Sequence, residues 1–154
     1  MDRHEFSMRV IACENRLYRI STAILGNTFD RDDAVQEALL KAWANLSTLR
    51  EEKHFETWLI RILINECRTV IRKRRPFLPL PDVIAAPEPP DPRLFEALLA
   101  LDVKYRLPIV LHHAEDYTIP ETARILQLPS STVKWRIEHG KRLLRELLRR
   151  EEER

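Results

Sequence analysis

The stretch TIPETARILQLPSSTVKWRIEHGKRLLRELL, from Thr118 to Leu148, decides the fold. It divides into a short helix, a tight corner and a longer basic helix. Thr118 can cap the first helix, Glu121 can complete a capping box, and Pro120 falls in the first turn, where a missing N–H costs little. Ala123 and Leu126 then face inward, a small and a large residue one turn apart. The corner is placed at Gln127 to Pro129, because a proline biases the residue before it away from helical angles. Ser130 or Ser131 can cap the next helix. There Val133, Ile137, Leu144 and Leu148 share one face, while Thr132, Lys134, Trp135, Arg136 and His139 lie off it. The pattern predicts a helix-turn-helix whose second helix enters a DNA major groove. An ordinary helical hairpin with a solvated basic face has the same local signature, so the rest of the chain must decide.

Working outward, the ten prolines are unevenly spread over the 154 residues: seven fall between Pro76 and Pro92, in PFLPLPDVIAAPEPPDP. Such a run cannot propagate a helix and suits an extended tether. Two helical modules, 1–75 and 93–154, are therefore expected on either side of a linker at 76–92. With only two glycines and periodic segments rich in Leu, Ala, Arg and Glu, the expected fold class is all-α.

Net charge is only +2, with 14 basic and 11 acidic side chains in 1–75, 0 and 3 in 76–92, and 12 and 10 in 93–154. Phosphate binding must then come from local stripes. Cys13 and Cys67 lack metal-type spacing and fall on apolar faces, which points to buried thiols in a reducing compartment. No apolar run has the length of a membrane span and no signal-peptide core is present, so a cytoplasmic protein without membrane insertion is expected.

In the first module Phe6, Val10, Cys13, Leu17, Ile20 and Ile24 recur at steps of four and three, an amphipathic seam ended by Gly26 and Asn27. Asp30 is the expected cap of a second helix, with Asp32 and Asp33 in its first turn and Val35, Leu39, Ala42 and Leu46 facing inward. Asp33, Gln36, Glu37, Leu40 and Trp43 make another face, acidic with an apolar centre; acids alone read as a solvated face, and Trp43 beside them points instead to contact with a basic partner. A third helix is expected from about Phe55 to Arg75, covered by Leu59, Leu63, Cys67, Val70 and Ile71. On it Trp58, Arg61, Asn65, Arg68 and Arg72 follow at steps of three and four. An aromatic for stacking, an amide for a base edge and cations for the backbone together suit single-stranded nucleic acid. A core tryptophan with snorkelling arginines gives the same spacing.

LYRISTAILGN, DRDDAVQEALLKAW, FETWLIRILINECRTVIRKRRP and the helix-turn-helix, in this order, resemble a bacterial sigma factor of the small extracytoplasmic-function group. DDAVQEALLKAW is the most specific part, and TVKWRIEHGKRLLREL after a proline corner is next. The resemblance implies a protein that is not an enzyme and carries no cofactor or metal. It implies binding to core RNA polymerase and promoter DNA, and commonly inhibition by an anti-sigma protein. Asp33, Gln36, Glu37, Leu40 and Trp43 match the segment that docks on the clamp helices of the largest polymerase subunit. Trp58, Arg61 and Asn65 match the segment that melts and reads the −10 element, with Leu49 to His54 near a flipped base; Arg68 and Arg72, further along the same stripe, are further candidate contacts to it. Thr132, Lys134 and Arg136 match the helix over the −35 element; Ser131, Trp135 and His139, on the same helix, are further candidate contacts to it.

Departures occur where the family usually has a glycine, here Ser131, and a small residue, here Trp135; Glu138 and His139 stand where basic or aromatic residues are frequent. Trp135 can pack on the DNA backbone or on a thymine methyl; Glu138 can accept from a cytosine amine or repel phosphate. Two other classes compete. A helix-turn-helix regulator independent of polymerase would leave the faces Asp33 to Trp43 and Trp58 to Arg72 without a role. A small metal enzyme would rest on His112, His113, Glu115 and Asp116, with His112 and Asp116 expected on one helix face.

Overall fold

The computed structural model describes residues 1–74 and 91–153, which form two compact units, one on either side of 75–90. The expected linker at 76–92 lies outside the described residues except for Asp91 and Pro92, which begin a helix. Among the described residues there are seven α-helices and no strand, so the all-α expectation holds.

The first unit is a three-helix bundle. α1 (Arg3–Leu25) starts where the Asp2 carboxylate accepts from the Glu5 N–H, and stops at Gly26, whose φ of 81° is the left-handed conformation glycine tolerates. Its seam is buried as the periodicity predicts, with Val10 only half-buried. α2 (Thr28–Ala44) begins earlier than expected, because Asn27 is its cap and Asp30 lies inside the first turn. The Asn27 carboxamide accepts from the Asp30 N–H at 2.8 Å and donates to the Asp30 carboxylate at 3.0 Å. That reciprocal pair makes the earlier start the better-satisfied one. Its buried face is small, Ala34, Val35, Ala38 and Ala42, which lets α2 lie close against α3; Leu39 and Leu46 are half-buried. Two single 3₁₀ turns, Leu46–Thr48 and Glu52–His54, lead into α3 (Phe55–Lys73).

α3 buries Leu59, Ile60, Leu63, Ile64 and Cys67 between its two neighbours. It ends before Arg75, because Arg74 is extended and its guanidinium donates to the Leu25 carbonyl at 2.6 Å and to Asp30 at 2.9 Å. One cation thereby ties the end of α1 to the start of α2. Glu66, buried on the same helix, is paired with Lys41 at 2.5 Å, which compensates an otherwise costly buried carboxylate.

The second unit opens with α4 (Pro92–Ala100), capped by Asp91, and α5 (Val103–Ile109), capped by Asp102. Arg106 is buried and donates to the Leu99 carbonyl at 2.9 Å, fastening α5 to the end of α4. α5 runs on into a wider π turn, Val110–Ala114. α6 (Ile119–Leu126) carries the expected capping box, with bonds of 3.1 and 3.0 Å between Thr118 and Glu121. Gln127 takes the left-handed conformation at φ 57°, and the Leu128 N–H returns to the Ala123 carbonyl at 3.0 Å.

α7 (Ser130–Glu152) is not capped by a serine. Pro129 holds the cap position with no side-chain bond, its carbonyl accepting from the Val133 N–H, and both serines fall in the first turn as exposed hydroxyls. Ala123, Val133 and Ile137 form the core of the corner, edged by Ile119 and Leu128. At Gly140, α7 packs tightly on α5: a Cβ there would stand 2.8 Å from Ile109 Cδ1 and 3.1 Å from Tyr105 Cβ.

Candidate functional site

Three surfaces collect the candidate residues, two on the first unit and one on the second. On α2, Asp33, Gln36 and Glu37 are exposed, and so are two large apolar side chains beside them, Leu40 at 63% and Trp43 at 44%. Trp43 is not loose, since its ring meets Phe6 edge-on at 5.2 Å. Phe29, 71% exposed, stands one turn before Asp33 and extends the same line. Sequence reasoning missed it, because a helix opened at Asp30 leaves Phe29 in a loop. Three exposed apolar side chains are framed by carboxylates, an arrangement that can take a partner with an apolar centre and a basic rim.

On α3, Trp58, Arg61 and Arg68 are half-buried and Asn65 and Arg72 are exposed, along one side of the helix. The Trp58 indole donates to Thr48 Oγ1 at 3.2 Å and tilts against Phe55 at 5.8 Å, so the preceding turn sets its orientation. Arg72 donates to Thr69 Oγ1 at 3.0 Å, and Thr69 in turn to the Asn65 carbonyl. The neighbouring segment Leu49 to His54 is mostly exposed but anchored: Arg9 donates to the Glu52 carbonyl at 2.9 Å and to its carboxylate at 3.1 Å. An indole, an amide and three guanidinium groups thus line one edge beside a pinned loop.

On α7, Ser131, Lys134 and Trp135 are exposed, while Thr132, Arg136 and His139 are half-buried. Trp135 and His139, one turn apart, are stacked with ring centroids at 4.8 Å and planes 11° from parallel. Tyr105 of α5 flanks both rings, at 5.1 Å from His139 and 6.4 Å from Trp135. His139 is therefore part of an aromatic cluster rather than an isolated polar group. Arg142 and Arg145 lie exposed further along α7 and continue its basic edge. They were not among the predicted residues, although their spacing of seven and ten from Trp135 was there to find.

The cluster considered for a metal does not assemble. The helix ends at Ala114, and Asp116 has a left-handed φ of 61°, so His112 and Asp116 share no helix face. His112 Nδ1 lies 2.7 Å from the Tyr117 carbonyl, a backbone partner. Among the described residues no group of three His, Cys, Asp or Glu is placed to hold a metal ion. Cys13 and Cys67 are both buried free thiols; burial, the first cause in each, pushes Cys13 up to about 11 and Cys67 up to about 12. At neutral pH they are protonated and packed, with no nucleophilic role. No helix among the described residues is long and apolar enough to cross a membrane.

Comparison with known proteins locates these surfaces in two family regions. Residues 10–77 match Sigma-70 region 2 and residues 93–144 match Sigma-70, region 4. The chain is 30% identical to the ECF RNA polymerase sigma factor SigW of Bacillus subtilis, over 96% of this chain and 91% of that protein. It is also 30% identical to the ECF RNA polymerase sigma factor SigM of Mycobacterium tuberculosis, over 96% and 79%. Among solved structures, CnrH in complex with the cytosolic domain of CnrY is similar with a TM-score of 0.76 at 27% identity, covering 96% of this chain and 89% of that one. The sigma factor RpoE of Bartonella quintana, solved with the anti-sigma factor NepR, shares the fold at a TM-score of 0.81 and 24% identity, over 94% and 97%.

Proposed function

The chain belongs to the sigma-70 family, in its extracytoplasmic-function (ECF) group, and on that premise we propose how its two units divide the work of directing core RNA polymerase to a promoter. As a sigma factor it binds core polymerase and confers promoter-specific initiation. Asp33, Gln36, Glu37, Leu40 and Trp43, extended by Phe29, form the docking face for polymerase. Trp58, Arg61, Asn65, Arg68 and Arg72 hold the −10 element as single strand, and the α7 edge from Ser131 to His139 sits over the −35 duplex. Residues 1–75 and 93–154 act as separate modules joined by 76–92.

The observation that carries this division is the difference in setting between the two aromatic-basic stripes. Trp58 is oriented by a hydrogen bond to Thr48 beside an anchored loop, which suits a base lifted from its stack. The α7 stripe follows a helix-turn-helix corner and faces outward along a helix, which suits a major groove. Neither module carries a large excess of basic residues, so each DNA contact alone is weak. Docking on polymerase raises the effective concentration of each module for its element, and the two contacts together supply the affinity. Catalysis stays with the polymerase. The working compartment is the cytoplasm, and an anti-sigma protein that competes for these surfaces is the expected inhibitor.

The test is co-purification of the chain with bacterial core polymerase, followed by transcription from a library of random promoters. A stable complex that starts transcripts downstream of one shared two-part motif is the expected outcome. Asp33→Lys with Glu37→Lys should weaken assembly at least about tenfold, since each reversal replaces an attraction with a like-charge contact. Unchanged assembly would move the docking face off α2. A chain that binds a duplex site yet never associates with polymerase would reduce the reading to a DNA-binding regulator.

A further inference from the structure

We infer that Trp135, clamped by His139 and Tyr105, is the residue that selects a thymine in the upstream promoter element, by contact with the base's 5-methyl group. The inference rests on α7 being the helix over that element. Its observations are the 57% exposure of Trp135 in the second turn of α7, the near-parallel stack on His139 at 4.8 Å, and Tyr105 flanking both rings from α5.

A large indole left in water at the surface of a helix is unfavourable unless something covers it. Stacking on His139 fixes the side chain in one orientation, so little rotamer freedom remains to be lost on binding. Tyr105 reaches the stack because α5 approaches α7 at Gly140, where a Cβ would collide with Ile109 and crowd Tyr105. Tyr105 and His139 are positioning residues, and Trp135 is the one that meets the base.

The partner's chemistry follows from what an indole offers: a broad apolar edge and a single N–H donor. In the major groove thymine presents a methyl beside one acceptor, O4, and matches both. Guanine, with two acceptors, and adenine, with the N7 acceptor beside an amine donor, can take the N–H but offer no methyl, and cytosine presents an amine donor that the indole cannot accept. Lys134, Arg142 and Arg145, exposed nearby, supply phosphate contacts that hold the helix in place without favouring any base.

The experiment uses full-length chain assembled with core polymerase on a promoter taken from the random library. Each thymine of the upstream element is replaced in turn by deoxyuridine, which removes the methyl and keeps O4. At one position the replacement should weaken binding by roughly 3–10-fold, as expected for loss of one buried methyl. In Trp135→Ala that sensitivity should vanish, while protection of the upstream element persists at lower salt. His139→Ala should reduce the discrimination between thymine and deoxyuridine with a smaller change in overall binding. Circular dichroism melting of both variants checks that α7 is intact. An upstream footprint with no methyl-sensitive position, or with the same sensitivity in Trp135→Ala, overturns the inference and leaves α7 as the bound helix. Absence of any upstream protection in the wild-type complex overturns the placement of α7 itself, and this inference with it.

Discussion

α3 and α7 carry nearly the same chemical inventory, an indole with polar neighbours and several guanidinium groups, yet they hold it in different ways. α3 has seven buried residues among 19, whereas α7 has three among 23. The first helix is embedded in a bundle and shows solvent one edge, whose side chains are tied back to Thr48 and Thr69. The second is packed mainly through Val133, Ile137 and Gly140, and its aromatic group is braced by other rings. Keeping a base out of its stack needs a rigid frame, since unstacking costs a few kcal/mol. Reading an intact groove needs reach along one face of a helix. On the proposed division, the same residue types can serve both tasks because burial and bracing differ.

The sharpest way to break this comparison is Arg61→Ala with Asn65→Ala. If α3 supplies melting and not assembly, the double variant should bind core polymerase as before. Open complexes, followed by permanganate reactivity of unpaired thymines, should fall roughly 30-fold or more, from about 1.5–3 kcal/mol for the lost Arg61 bond to phosphate and about 0.5–1.5 kcal/mol for the lost Asn65 bond to a base edge. Loss of polymerase binding together with melting would merge the α2 and α3 surfaces into one. The corresponding change in α7, at Trp135, should alter base preference and leave melting alone.

The second unit offers a structural counterpart of smaller size. Gly140→Val places a branched side chain where even a Cβ would be 2.8 Å from Ile109 and 3.1 Å from Tyr105. Ile109 Cδ1 ends a flexible side chain, but Tyr105 Cβ is close to the backbone, so α5 must shift. Overpacking of this kind costs about 1–3 kcal/mol. Amide exchange measured on the full chain should show the loss in α5 and α7 with α1 to α3 unchanged. Equal loss in both units would contradict their separate cores.

Local signals were legible in the sequence and remote ones were not. The helix start at Thr118 and the corner at Gln127 to Pro129 each follow from residues within one turn of each other, and the structure repeats the capping box and the stop. The start of α2 went to Asp30, because Asn27 and Asp30 are both good caps three residues apart. Only the reciprocal bonds between them decide for Asn27, and the error hid Phe29. Ser130 and Ser131 are good caps by residue type, but Pro129 already holds the cap position of α7. The stack of Trp135 on His139 was implicit in their spacing of four. Its brace, Tyr105, depends on a close approach of two helices that no window of sequence contains.

The smallest effect separates the two units by what they bury. Both cysteines belong to the first unit, and burial raises them from an ordinary value of 9.0 to about 11 for Cys13 and about 12 for Cys67. Below pH 9 the thiols are protonated whether the chain is folded or not, and their contribution to stability is fully present. Above pH 9 the unfolded chain releases these protons while the folded one keeps them, so stability falls as pH rises toward 11 and 12. Between pH 9.0 and 9.5 the loss is about 0.4 kcal/mol per thiol. Urea-dependent amide exchange at those two pH values should show it in α1 and α3. Lysines and tyrosines also titrate as the solution becomes alkaline, so the deciding measurement is the slope in Cys13→Ala with Cys67→Ala. If the two thiols account for the difference, that variant loses the extra pH dependence of the first unit and its slope approaches that of α5 to α7. An unchanged slope would mean that the buried thiols are reached by water in the folded state, and the first unit would then be less tightly closed than its core implies.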